Sequence, residues 1–392
     1  FLFMKRMNLS LRVKLLALLL CATAAHGQSV VFKSGDAGYA IYRIPAIVKA
    51  PGGDLLAFCE GRVNNGGDFG NIDIVMKRSV DGGTSWSTLQ IVIDADSLQA
   101  GNPAPVVDLL DPQYPGGRIF LFYNTGNNHE GEVRKGKGQR KVWYVTSVDN
   151  GKTWSAPTDI SLQVHRHGTS DDWRSYANTP GHGLQLTQGS HAGRLFVAAN
   201  HSEGTPKGRF EDYKAHGFYS DDHGKSFALS ASVARPGGNE SIAAELAGGR
   251  VLLNSRNQRG DVKERLISLS NNGGVSWDTS YFDPVLIDPV CQGSVLNIGW
   301  KKNKAVLAFS NAATRSKRDS LTVRISVDEG ATWRYSLLVD HSPAGTKGDH
   351  TAYSDLVLVN KNNLGVLYER SGYKEIFFQP LSIKRNYQIW KK

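Results

Sequence analysis

Cysteine is scarce, with three in 392 residues, and that scarcity excludes a scaffold built on disulfides. Cys21 falls in an N-terminal segment set apart below, which leaves Cys59 and Cys291 as the one pair an oxidising compartment would allow to join. Metal-binding spacings are missing too. There is no Cys-x-x-Cys, no His-Glu-x-x-His and no EF-hand loop, so no metal site is expected. No apolar run is long enough to span a bilayer as a helix. No basic run is interleaved with base-stacking aromatics, which argues against a nucleic-acid partner.

What is present begins with a leader. Residues 1–27 carry a basic stretch (Lys5, Arg6, Arg12, Lys14), the apolar run Leu15–Leu20 and small residues before Gly27, the order of a secretory signal peptide cut before Gln28. The expected location is therefore secreted or periplasmic, with lipoprotein anchoring through Cys21 as the alternative. Residues 1–3 precede the first Met and are read as an artefact of gene calling or cloning. The leader holds four of the 46 Lys and Arg and none of the 36 Asp and Glu, so residues 28–392 keep a net charge of +6. That balance suits an anionic substrate and equally serves solubility.

Glycine is abundant, at 42 residues, and the apolar runs are short, which favours strands and tight turns over helices. One phrase recurs: "SVDGGTSW" at 79–86, "SVDNGKTW" at 147–154, "SDDHGKSF" at 220–227, "SNNGGVSW" at 270–277 and "SVDEGATW" at 326–333. All fit S-x-[DN]-x-G-x-[ST]-[WF], with starts 68, 73, 50 and 56 residues apart. The Asp or Asn bonds nearby amides, the Gly supplies a positive φ, and the closing aromatic packs inward, so each copy reads as a hairpin turn. The segments feeding the turns ("NIDIVMKRS", "KVWYVTS", "AHGFYS", "RLISLS", "LTVRIS") read as strands, as do the intervening runs "DLLAFCEGR", "RIFLFYN", "RLFVAAN", "RVLLNSR", "KAVLAFS" and "LGVLYER". Four strands every 50–70 residues is the pattern of a β-propeller. The length allows six blades, and no linker interrupts the series, so residues 28–392 read as one domain.

The five turns resemble the Asp boxes, or bacterial neuraminidase repeats, of sialidases, whose fold is an all-β, six-bladed β-propeller. Such boxes also occur in propellers with no catalytic activity and in other glycoside hydrolases, so they speak for fold rather than activity. The strings outside them sharpen the likeness to bacterial exo-α-sialidases. "YRIP" at 42–45 resembles the Arg-Ile-Pro motif of that family, which places the first of three carboxylate-binding arginines at Arg43. "ELAGGRVLLNSRN" implies Arg256 as the second, and "SNAATRSKRDSLTVRISVDEG" implies Arg318 as the third, with Arg315 the fallback. Guanidinium groups suit this task because they meet a carboxylate with paired, charge-assisted hydrogen bonds.

The resemblance also implies the catalytic groups. "TAYSDL" gives Tyr353 as nucleophile, and "GNESIAAEL" gives Glu240 as its base, with Glu245 the competitor. Sialidases are exceptional among retaining glycosidases in using Tyr. A carboxylate about 3.5 Å from the substrate's own carboxylate would meet roughly 5 kcal/mol of repulsion at an effective dielectric near 20. A neutral phenol avoids that cost when a neighbouring carboxylate takes its proton. "CEGRVNNGGDFGNID" implies Asp68 as general acid, its pKa expected to be raised by its surroundings, with Arg62 holding the carboxyl end or O4 side of the sugar and Asp73 the fallback acid. Glu369 in "LYER" matches the acid that orients the first arginine, and Asn102 in "GNPAPVVD" stands where many of the family have an O4-contacting Asp. His182 in "NTPGHGLQL" reads as loop structure, and His165 and His167 as solvent-exposed.

The reading is an exo-α-sialidase that releases terminal α-linked sialic acid from glycoproteins, glycolipids and oligosaccharides, retaining configuration through a tyrosyl-linked intermediate. It implies no cofactor, no metal, no membrane span and a monomer. The rivals are a trans-sialidase or intramolecular trans-sialidase on the same scaffold, a hydrolase preferring the deaminated sugar, and a non-catalytic sialic-acid-binding propeller.

Overall fold

The computed structural model describes residues 28–383, so the leader and Cys21 lie outside the described residues. The architecture is all-β and propeller-like. Every strand expected from the turn-feeding segments and the intervening runs is present, from Leu55–Arg62 and Ile72–Ser79 to Leu321–Ser326 and Asn363–Arg370. Three sheets are four-stranded, one is five-stranded and one is eight-stranded. The eight-stranded sheet divides into two antiparallel halves joined by one parallel pairing, Ile72 with Gln99. The innermost strands touch in cyclic order. Ile41–Lys49 meets Gln99–Asp108, which meets Trp173–Asn178; that strand's sheet meets Gly238–Glu245, followed by Ser294–Lys301 and Ser354–Asn360, which returns to Ile41–Lys49.

The core lies between sheets rather than at the axis. Phe378 and Leu367 of one sheet pack with Ala57 and Cys59 of the next, and Val106 and Phe122 pack with Val197 and Phe218 across another seam. Cys59 and Cys291 are both buried and free, so the disulfide the sequence permitted does not form. They belong to separate apolar clusters.

The five repeated turns share one set of bonds. The serine hydroxyl donates to the Asp or Asn side chain and accepts from the glycine amide: Gly83 N to Ser79 Oγ is 2.8 Å, and Gly330 N to Ser326 Oγ is 2.8 Å. The same Asp or Asn accepts from the backbone N–H four residues on, as in Ser226 N to Asp222 Oδ1 at 2.9 Å. The glycine does more than turn. A Cβ on Gly83 would lie 2.0 Å from Phe378, on Gly224 2.5 Å from Phe120, and on Gly274 2.5 Å from Phe196. Each of those rings belongs to the neighbouring group of strands. Trp86 stacks edge-on against Phe378 and Trp277 against Phe196 in the same direction. The repeat is therefore a clasp between neighbours as well as a turn.

Four innermost strands slip register near one end: between Arg43 and Ala46, Gly101 and Ala104, Trp173 and Tyr176, and Gly238 and Ser241. An extra residue in an antiparallel pair re-aims side chains. Two of these irregularities contain non-glycine residues at positive φ, Ile44 at 63° and Asn102 at 55°. For a β-branched residue followed by Pro45, that conformation persists only where its surroundings enforce it. The Ile44 amide is held by Glu369 Oε1 at 2.9 Å.

Candidate active site

The slipped ends surround a cavity of about 280 Å³ lined by Arg43, Arg62, Asp68, Asn102, Glu240, Arg256, Arg318 and Tyr353 among others. These candidates come from strands and loops up to about 310 residues apart in sequence, and the fold brings them together.

Tyr353 lies just ahead of Ser354–Asn360, with its hydroxyl 2.5 Å from Glu240 Oε1. Arg256 Nη1 donates both to Glu240 Oε2 at 2.7 Å and to the Tyr353 oxygen at 2.9 Å. Burial, followed by the charge of Glu240, pushes the Tyr353 phenol well above its ordinary pKa, against the opposing pull of Arg256 and Arg318. The phenol is therefore neutral near pH 7, and its proton already points at a carboxylate.

Glu369, fully buried, has three tasks. It accepts from Arg43 Nε at 2.6 Å, from the Ile44 amide and from the Tyr353 amide at 3.1 Å. One carboxylate thus fixes the first arginine and the backbone of the tyrosine together. Arg43 and Arg318 each stand 5.4 Å from the Tyr353 ring centre.

Arg318 differs from its two companions. Arg43 pairs with Glu369 and Arg256 with Glu240, whereas Arg318 makes no ion pair among the described residues. Its Nη1 donates to the Tyr373 hydroxyl at 3.3 Å, and that hydroxyl donates to Asp349 at 2.6 Å. Tyr373 also lies under Arg43, 4.3 Å from its ring centre. Of these three arginines, Arg318 is the one whose charge is left without a carboxylate and so is open to an incoming anion.

Arg62 is buried, and its bonds are engaged within the protein. Nε and Nη2 reach Glu60 Oε2 at 3.0 and 2.7 Å, while Nη1 reaches Gly66 O at 2.6 Å and Asp68 Oδ1 at 2.7 Å. In this arrangement it holds the Asp68 loop. Asp68 itself is 72% exposed. Its carboxyl was expected to have a raised pKa, and the structure shows the opposite. Partial loss of water at the cavity mouth pushes upward, but the Arg62 charge and hydrogen bond outweigh it and hold the carboxyl below the usual range. Asn102 lies at the cavity wall, donating from Nδ2 to Asn178 O at 3.2 Å and from its amide to Glu60 Oε1 at 2.9 Å.

The fallback residues stand outside the cavity lining. Arg315 is exposed and pairs with Glu264, Asp73 accepts from the Tyr39 hydroxyl, and Glu245 accepts from Thr187 and Gln188. His182 is structural, as read from sequence: its ring and amide both bond Asp355, which also takes the Ile47 amide and the Ser294 hydroxyl. His165 corrects the sequence reading. It is buried against Tyr176 rather than solvent-exposed, because Val164 anchors its segment in the core beside Trp173. Sequence reasoning missed Glu60, Tyr373 and Asp349. Only Glu60 left a signal, standing two residues before Arg62 on the same strand face.

A family model described as a BNR repeat-like domain matches residues 53–366. The chain is 32% identical to a sialidase of Micromonospora viridifaciens over 86% of its own length and 51% of that protein's. It is 28% identical to a sialidase of Bacteroides fragilis over 90% of its length and 64% of the relative's. The chain therefore spans about half to two thirds of these curated relatives. Among solved structures, Hadza microbial sialidase Hz136 superposes with a TM-score of 0.77 at 27% identity, covering 91% of this chain and 68% of that one.

Proposed function

The chain belongs to the BNR repeat-like domain family, and from that premise we propose that it is an exo-α-sialidase. The reaction is retaining hydrolysis of terminal α-ketosidically linked sialic acids on glycoproteins, glycolipids and oligosaccharides, with no cofactor. The observation that carries this reading is the neutral Tyr353 phenol bonded to Glu240 at 2.5 Å inside a ring of three arginines.

The substrate carboxylate meets Arg318, Arg43 and Arg256. The Tyr353 oxygen attacks the anomeric carbon and passes its proton to Glu240, while the glycosidic C–O bond breaks and the leaving oxygen takes a proton from Asp68. Water then attacks the same carbon, giving its proton to Asp68. The tyrosyl C–O bond breaks, and Tyr353 regains its proton from Glu240. For the first step Asp68 has to be protonated and clear of Arg62. Gly66, Gly67 and Gly70 flank it and give the loop room to move; Gly70 sits at φ 137°. A purely sugar-binding propeller needs the arginines but has no use for a base on the phenol, so the Glu240–Tyr353 pair favours catalysis. Transfer to another hydroxyl shares the first half of the reaction and is separated by product analysis with lactose as acceptor.

A six-bladed arrangement is part of the proposal. It is supported by the single parallel pairing inside the eight-stranded sheet and by six inner strands in cyclic contact. A secreted or periplasmic monomer with one catalytic domain completes it. No helix among the described residues is long and apolar enough to cross a membrane.

The test is release of a fluorogenic phenol from an α-sialoside by the purified chain. Asp68→Ala is expected to lose about a hundredfold or more of kcat on a natural sialyl-sugar. Tyr353→Phe is expected to abolish the trapped glycosyl adduct on the peptide containing residue 353. Unchanged turnover in both variants overturns the reading.

A further inference from the structure

The proposed chemistry uses one face of the molecule and leaves the other without a role. Arg43, Asn102 and Glu240 stand near the starts of their innermost strands, Ile41–Lys49, Gln99–Asp108 and Gly238–Glu245, and all three line the cavity. The innermost strands therefore run away from the cavity, and their last residues lie on the far face. So do the repeated turns, because each third strand runs the same way as its innermost strand.

The hairpin that joins Ser294–Lys301 to Lys304–Ala312 is the odd one on that face. Its two turn residues, Lys302 and Asn303, both sit in the left-handed region, at φ 50° and 58°. Such a turn favours Asn-Gly, and a lysine in its first place carries a steric cost. Lys301 pairs directly with Lys304, although like charges opposite each other on paired strands repel. Both of these lysines, Lys302 and the neighbouring Trp300 are exposed, the tryptophan by 41%. Lys361 is exposed too, on the turn that follows the adjoining innermost strand, Ser354–Asn360. None of these lysines makes an ion pair among the described residues. Glu329 accepts from the Ala305 amide at the base of the hairpin at 3.4 Å, yet its charge is taken by Arg250. The hairpin accepts these costs with nothing gained inside the fold, which is the mark of a surface kept for a partner.

Apolar tips share the far face. Leu109 and Leu110 follow the last residue of Gln99–Asp108 and are 59% and 47% exposed, and Val80 and Val148 of the first two repeats are exposed as well. Lysines around an indole suit the boundary of a bilayer, where the ammonium groups meet anionic headgroups and the ring lies at headgroup level. A polyanionic glycan would match the lysines but leave Trp300 and the leucines in water. We propose that the far face docks on an anionic lipid bilayer, with Trp300 at the interface and Lys301, Lys302, Lys304 and Lys361 on the headgroups. Docked this way, the cavity opens away from the lipid, toward glycans carried by soluble molecules or by a facing surface. The docking is carried by surface residues alone and does not rest on the sialidase reading.

The test is co-sedimentation of the purified chain with vesicles of phosphatidylcholine, alone or with about 30% phosphatidylserine. The chain is expected to partition onto the anionic vesicles at least about tenfold more than onto the neutral ones, and less so as salt rises. Replacing three lysines together (Lys301→Gln, Lys302→Gly, Lys304→Gln) is expected to lower that partition at least about tenfold, and Trp300→Ser about threefold or more. Neither variant should lose Tm or turnover of a soluble fluorogenic sialoside, since Gly suits the turn and the cavity lies at the other end. A clear fall in Tm would show that these side chains serve the fold and would overturn the inference. No preference for anionic vesicles overturns it, as does binding that either variant keeps in full, which places the contact elsewhere in the chain. Retention on heparin with none on vesicles assigns a polyanion instead of a bilayer and overturns it too. An inactive chain that still binds vesicles refutes the sialidase reading alone, whereas an active chain that does not bind them refutes this inference alone.

Discussion

At the scale of single residues, the site works by sharing carboxylates. Glu369 takes three donors, from Arg43, Ile44 and Tyr353, so its charge and its shape are both in use. Glu369→Gln keeps an acceptor for the amides but removes the charge opposite buried Arg43. Leaving a buried cation unpaired costs about 3 kcal/mol or more. The expected result is a clear loss of stability in urea unfolding, together with a kcat/KM at least about tenfold lower; unaltered values in both would show that Arg43 does not depend on this partner. Tyr373 tests the other side. Tyr373→Phe keeps the ring under Arg43 and deletes the bridge from Asp349 to Arg318, so KM is expected to rise several-fold with kcat little changed. Equal falls in kcat with KM unmoved would refute a positioning role in carboxylate binding. These partners show what sequence can and cannot disclose. Arg43, Glu240, Arg256 and Tyr353 stand in strings whose likeness to a family could be read directly. Tyr373 and Asp349 act through contacts made only when distant strands meet, and no local pattern announces them.

At the scale of elements, the recurring phrase was legible as a turn because its side chains bond within eight residues. Its second task was not, because the partner ring comes from another sheet. Gly274 shows both. Its φ of 86° strains any L side chain, and Phe196 lies 2.5 Å from where a Cβ would stand. Gly274→Ala is therefore expected to destabilise by about 2–3 kcal/mol, more than the roughly 1 kcal/mol of conformational cost alone. Asp328→Ala removes bonds to Ser326 and Thr332 on the periphery, and is expected to lower Tm while leaving kcat unchanged. A fall in kcat at a temperature where that variant is fully folded would assign the acid a role beyond the turn. The register slips at the opposite ends of the inner strands were equally silent in sequence, since a bulge has no fixed residue signature. They explain how strand residues such as Arg43 and Glu240 come to face a cavity.

At the scale of the whole molecule, one sheet is assembled from both ends of the described chain. Ser29–Lys33 pairs with Glu375–Ser382, next to the strands that follow Tyr353. Acid sensitivity is expected from another seam, where His165, His201 and His216 are buried together beside Trp173 and Tyr176. His201 Nε2 bonds Glu203 at 3.0 Å and its Nδ1 meets His216 Nδ1 at 3.0 Å. One proton between those two rings satisfies both, so neutral forms suit the geometry; among the described residues Nε2 of His216 has no hydrogen-bond partner. Burial lowers His165 to about 3 and His201 to about 4, and lowers His216 as well, with Arg166 adding to the effect on His201 and His216, His167 on His165, and Lys214 on His201 against Glu203. The unfolded chain takes up protons on these rings near pH 6.5 while the folded chain does not. Their contribution to stability is thus complete above about pH 6.5 and is lost as the pH falls toward 4. Tm is expected to be level from pH 7 to 8 and to drop progressively below pH 6. His165→Phe, which fills the same space with a ring that takes up no proton, is expected to flatten that drop. A variant whose Tm falls in parallel with the wild type over the same range would show that the acid response arises elsewhere. Because Tyr176 lies in this cluster and also lines the cavity, loss of activity in acid should track the unfolding curve rather than precede it.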